Sequence, residues 1–402
     1  MLSLRPIRRF CHVSAGATTI AAADTYSRPS SSIPIQNPKH LEPSALEKLK
    51  AERDPDKLFQ LFKANARNRL VIENRFAFED TVSRLAGANR FDYIEELLEQ
   101  QKTLPQGCRE GFIVRIIMLY GKAGMTKHAV DTFYDMHLYG CRRTVKSFNA
   151  ALKVLSQSRR YGAIKEFFTE VPGRFDIKID NFSVNIVIKA LCEMGLLQEA
   201  YLIMLQTEKR GVKPDVITYT TLISAFYKNN RFEIGNGLWN RMVLKGCLPN
   251  LATFNARIQF LINKGRAWDA NALMEKMQRV GIAPDEVTFN LVMKGFYQAG
   301  YMEMAKRVYS ALVGKGYKPN VQIYQTMIHY LCKSGDFRLA YIFCIDCMQK
   351  NWYPNVDTIY MLLEGLRKTG QIDKAKFIMK LARMRKPPFS ADHLNAMQSR
   401  LF

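Results

Sequence analysis

Apolar residues along this chain fall into a pattern that returns every 35 residues. The blocks 216–250, 251–285, 286–320 and 321–355 follow one another without a gap. Their fourth place holds Tyr219, Phe254, Phe289 and Tyr324, and their eighth holds Ile223, Ile258, Met293 and Ile328. The twelfth holds Tyr227, Ile262, Tyr297 and Cys332. Spacing by four puts these residues on one face of a helix. Polar residues then give way to Asn230, Gly265, Gly300 and Gly335, where the helix must stop in a left-handed conformation. Gly235, Ala270, Ala305 and Ala340 follow, small enough to let a second helix come close. Gly246, Gly281 and Gly316, then Pro249, Pro284, Pro319 and Pro354, end that second helix. Each unit is therefore predicted as helix, tight turn, helix, short loop. Strand signals are absent. An array of this kind packs each unit on its neighbours and reads as an all-α solenoid.

The register extends outward with decreasing regularity. Block 181–215 fits fully, with Val184, Ile188, Cys192, Gly195 and Ala200 in place. Block 145–180 takes 36 residues and lacks the turn glycine; its Pro172-Gly173 predicts an early end to the second helix and a longer loop. Block 110–144 keeps Gly124, Ala129 and Gly140, and block 75–109 has Gly87-Ala88-Asn89 near its turn. Residues 54–62 read as the second helix of a degenerate first unit, with order beginning near Ser44. Block 356–390 keeps Gly370 and Ala375 and is closed by Pro387-Pro388. The array is thus expected over 44–390, with 391–402 as a short tail.

Composition changes this picture at two points. Lysine and arginine outnumber the acids 59 to 36, a formal charge of +23. Residues 1–40 hold five of those cations and one acid, so about +19 stays on the array, which suits a polyanionic partner. Residues 1–23 carry Arg5, Arg8 and Arg9 among serines and threonines, with no acid before Asp24. That pattern predicts an organellar transit peptide, mitochondrial rather than chloroplast, continued to residue 43 by a Pro- and Ser-rich linker. Eight cysteines are spread singly apart from Cys344 and Cys347, which suits a reducing compartment. No apolar run is long enough to span a membrane.

The motifs T-Y-T/N-x-L-I, K-x-G-x-x-x-x-A and M-x-x-x-G-x-x-P-D/N together resemble the pentatricopeptide repeat family, in its pure 35-residue P-class form from plant organelles. A tetratricopeptide array has a period of 34, and its Trp-x-x-Leu-Gly-x-x-Tyr pattern is missing. The resemblance covers roughly residues 75–390. It implies a right-handed superhelical solenoid of about eight to nine helix-turn-helix repeats that binds single-stranded RNA, one base per repeat. It implies no catalysis, cofactor, metal or small-molecule substrate. The six histidines are scattered, and Cys344-x-x-Cys347 has no companion pair at metal-ligand spacing.

The family reads bases with the fifth and last residues of each unit. Carried over, the pairs are Asn149 with Asp180, Asn185 with Asp215, Thr220 with Asn250, Asn255 with Asp285, and Asn290 with Asn320. The residues themselves agree: a fifth residue one step past the buried aromatic should face the inner surface, and short amides, hydroxyls and carboxylates pair with base edges. The family's code then gives U-U-A-U-pyrimidine. Val114 with Thr144 and Gln325 with Asn355 fall outside the code, as does Tyr360. The resemblance also implies base stacking by second-place Phe182, Ile217 and Val287, and phosphate contacts by thirteenth-place Lys122, Lys228, Lys333 and Lys368. Two functional expectations follow. One is a mitochondrial RNA-binding protein acting in transcript processing, stability or translation. The other is a mitochondrial ribosome-associated scaffold with little base specificity, which the off-code units favour.

Overall fold

The computed structural model describes residues 44–400. All regular elements among them are helices. Nine two-helix units follow one another, from Arg75–Gly87 with Phe91–Lys102 to Val356–Lys368 with Ile372–Arg383. Short helices Ala45–Ala51, Pro55–Ala64 and Arg69–Glu73 precede them. Within the regular stretch, first helices span Asn181–Glu193, Val216–Lys228, Leu251–Asn263, Glu286–Gln298 and Val321–Lys333.

Local chemistry sets each boundary. Asp180, Asp215, Asn250 and Asp285 cap the helices that follow them, each accepting the amide of the third helical residue. Such a cap contributes about 1 kcal/mol. Each first helix ends on a left-handed residue: Gly195 at φ 79°, Asn230 at 58°, Gly265 at 72°. In the unit without a turn glycine, Arg159 takes that conformation at φ 55°.

The fourth- and eighth-place residues form the core, with Tyr219, Ile223, Phe289 and Ile328 essentially sealed. Burying each such side chain contributes about 1.5–3 kcal/mol. The small residue after the turn is required by contact. A Cβ on Gly235 would lie 2.5 Å from the ring of Tyr227. Consecutive first helices pack directly side by side, each second helix packs on its own first helix, and most second helices also touch the next first helix. This joins the first helices into one continuous layer.

Two local expectations are corrected. The second helix of 145–180 does not end at Pro172-Gly173; it runs Tyr161–Arg174 with the proline inside. Phe167, Phe168 and Val171 are buried along it, and this packing outweighs the proline penalty in the last turn. Residues after 390 are not merely a tail: Ser390 caps the helix Ala391–Ser399, which seals Met397 against the last unit. The expected transit peptide and linker, 1–43, lie outside the described residues.

Candidate nucleic-acid interface

The last residue of each unit is the N-cap of the next, so capping and the candidate reading pair share atoms. At one junction the Asn185 amide nitrogen donates to both carboxylate oxygens of Asp215, each at 3.2 Å. The Thr218 hydroxyl lies 2.6 Å from the Asn185 amide oxygen and 2.9 Å from Asp215. The same triangle recurs with Asn149, Asp180 and Ser183, and with Asn255, Asp285 and Thr288. A hydroxyl donating to the amide oxygen fixes which end of the amide meets the carboxylate. One lone pair and one N–H of each asparagine then remain for a further partner.

The third-place hydroxyls were given no role on sequence grounds. The column is Ser or Thr in every unit from 145 to 286, and that regularity is the signal for them. Its exception is informative. Ile323 occupies the third place after Asn290 and Asn320, and the Asn290 amide oxygen is buried without a partner. Leaving such an acceptor unpaired costs about 1–3 kcal/mol. Thr220 makes no direct bond to Asn250. Its hydroxyl meets Thr253 at 2.7 Å, and Thr253 meets Asn250 at 2.9 Å.

Burial acts against ionisation of Asp285, yet bonds from the Thr288 amide and hydroxyl and from Asn255 prevail, and its carboxyl sits below the usual range. The fifth-place residues Asn185, Thr220, Asn255 and Asn290 are half-buried on the first-helix layer, while Asn149 is only 6% exposed. Asp180 and Asn250 are exposed; Asp215, Asp285 and Asn320 are half-buried.

Second-place Phe182, Ile217 and Val287 are exposed by 59%, 62% and 51%, so three units present an apolar side chain at the same register position. Phe76, in the same place of the first full unit, is exposed by 84% and was not singled out from sequence. The lysines divide. Lys122 pairs with Glu79 at 3.2 Å and Lys368 with Glu364 at 2.7 Å. Lys228 and Lys333 are exposed and make no ion pair among the described residues; Lys333 lies over the Tyr330 ring. Off-code Gln325 joins the junction network through Thr358 at 2.8 Å and the Asn355 amide at 2.9 Å. Tyr360 is covered by the guanidinium of Arg400, 3.9 Å from its ring centre. Cys344 and Cys347 are buried, and desolvation pushes both thiols up, Cys347 to about 12. They serve packing.

A family model described as the PPR repeat family matches residues 179–228, 214–259 and 249–298, and a PPR repeat model matches 115–141 and 287–317. The pentatricopeptide repeat-containing protein At1g80150, mitochondrial, of Arabidopsis thaliana is 66% identical over 248 residues, 61% of each chain. The small ribosomal subunit protein mL103 (rPPR7) of the same plant is 36% identical over 61% of this chain and 57% of its own. The matched stretches thus span about three-fifths of these relatives. Among solved structures, the maize pentatricopeptide repeat protein PPR10 superposes with a TM-score of 0.50 at 16% identity, over 89% of this chain and 60% of that one. That likeness concerns the fold.

Proposed function

Because this chain belongs to the pentatricopeptide repeat family, we propose that it binds single-stranded RNA in mitochondria along the row of first helices, reading about one base per repeat. One observation carries the proposal: the same polar triangle recurs in register beside an exposed apolar second-place side chain. A buried amide that serves only the fold has no need of that neighbour. A base stacked on Ile217 or Val287 would lie next to the triangle that Thr218 or Thr288 closes, against the Asn185 or Asn255 amide of the preceding unit, where one donor and one acceptor remain. The proposed track is U-U-A-U-pyrimidine, 5′ to 3′ from the unit starting at Val145 to that starting at Glu286. Asn149 is the least accessible reader, so the first U should be the least discriminated. Lys228 and Lys333 are the phosphate contacts best placed to act, since no carboxylate claims them.

Bound there, the protein would hold a transcript segment single-stranded or shield it from exonucleases, acting on processing, stability or translation without catalysing a step. Mitochondrial residence is supported by the name of the 66% identical relative and by the leader pattern of residues 1–23. The test is binding to an array of all RNA pentamers at physiological salt. The proposed track should head the ranking, and a ranking by charge alone would refute base reading.

A second reading is favoured by the likeness to a small ribosomal subunit protein. In it the chain is a ribosome-associated scaffold whose basic face holds structured RNA. Co-sedimentation with mitochondrial ribosomal subunits that survives high salt, without pentamer preference, would select it.

A further inference from the structure

The first units depart from the reading pattern in a consistent direction. Their fifth places hold Glu79 and Val114, and the last place of 75–109 holds Arg109 where later units have Thr, Asp or Asn. These positions border a cavity of about 1090 Å³ on the first-helix side. Arg67, Arg75, Arg109, Arg115, Lys122 and Lys153 line it. The only acids lining it are Glu73 and Glu79, six cations against two carboxylates, an excess of four.

Part of that charge is buried and incompletely paired. Arg115 donates to the Ile72 carbonyl at 2.7 Å and stacks 4.1 Å from the Phe78 ring centre. Its Nε and Nη2 are sealed from solvent without an acceptor. Desolvation, and then the charge of Arg75, draw its pKa down to about 10, so the guanidinium remains charged at neutral pH. Lys122 alone among the six has an ion-pair partner, Glu79, among the described residues. A concavity lined mostly by one sign of charge focuses the field and concentrates counter-ions. The wall offers no hydroxyl or carboxylate triangle of the kind found at later junctions, so it has charge but little means to tell bases apart.

We propose that this cavity is a phosphoryl site that holds the RNA strand on the 5′ side of the read bases without selecting sequence. The inference rests on the RNA-binding reading and adds a division of labour to it. The N-terminal units grip the phosphate, and the units from Val145 onward read.

The test uses the full chain and the double variant Arg75→Gln/Arg109→Gln, whose side chains are exposed and make no helix cap. The RNA probes are the proposed pentamer alone, with a 5′-terminal phosphate, and with three abasic nucleotides added at the 5′ or the 3′ end. The 5′ extension should tighten binding by about tenfold at low salt. The double variant should lose that gain and about 1.4 in salt slope, about 0.7 per phosphate contact, while its base preference is unchanged. If the 5′ phosphate alone supplies the gain, the group is a terminal monoester; if the extension is needed, it is a backbone diester. Equal gain from either end overturns the proposal, as does equal loss by the variant on extended and bare pentamers. A wild-type protein with no base preference would refute the reading track yet leave the 5′ gain measurable. If no RNA binds, thermal unfolding in inorganic phosphate against chloride of equal ionic strength decides. A rise in melting temperature lost in the variant supports the site, and no rise overturns it.

Discussion

The junction at Asp215 and the junction at Arg109 stand at the same place in two units and are built on opposite chemistry. At the first, one carboxylate caps a helix, receives the Asn185 amide and meets the Thr218 hydroxyl. At the second, Arg109 makes no side-chain cap, and the cavity it lines holds six cations against two carboxylates. The fold tolerates both because the core residues beneath them, Ile113, Ile117, Tyr219 and Ile223, are equally buried. Apolar register therefore builds the solenoid, and the polar junctions are free to specialise.

The largest expected effect breaks that comparison directly. Asp215→Ala removes a cap and leaves the Thr218 amide and the Asn185 side chain short of an acceptor, costing about 2–3 kcal/mol. Arg109→Ala should stay within about 0.5 kcal/mol. Denaturant midpoints of the two variants measure the gap, and equal losses would mean the junction networks do not stabilise the array. Thr288→Val keeps shape but removes the hydroxyl that orients Asn255. It should cost about 1 kcal/mol and blur the base preference of the unit starting at Leu251 alone. Ile323→Thr runs the other way. It offers the orphaned Asn290 oxygen a donor, so discrimination at the fifth base should sharpen several-fold while loss of buried apolar surface leaves stability within about 1 kcal/mol. Unchanged discrimination would show that the third-place hydroxyl serves only the cap.

The smallest effect is a matter of pH. Asp285 has a folded pKa below its ordinary value of 3.8, so its contribution is fully present above that value and is lost as pH falls through the lowered one. The stability difference between the wild type and Asp285→Asn should be flat from pH 7 to about 5 and shrink below about pH 4. A difference that changes near neutrality would contradict this.

Much of this architecture was legible in the chain. The period, the turn residues and the small residue at Gly235 or Ala270 are local rules that each unit repeats, and repetition averages out exceptions. What escaped was set by contacts between units. The helix through Pro172 survives because Phe167, Phe168 and Val171 pack beneath it, a tertiary gain that no local propensity records. The helix Ala391–Ser399 is short and weakly apolar, and it is held by Met397 and by Arg400 over Tyr360. The candidate reading pairs could be named from position, but their coupling through Ser183, Thr218 and Thr288 could not. Each of those hydroxyls reads from sequence as an ordinary helix-start residue. The cavity was hidden for the same reason: Arg75, Arg115 and Lys153 come from three successive units and meet only when the units stack.

The central claim is that fifth and last residues, held by the cap network, face bases one by one. Thr220→Asn with Asn250→Asp converts one junction to the chemistry found at Asn185 and Asp215, with Thr253 already in place to orient the new amide. Binding of this variant to the pentamer array should move the third base from A to U by a factor corresponding to about 1–3 kcal/mol and leave the other four positions as they were. Retention of A at that position, or equal change at all five, would contradict the account.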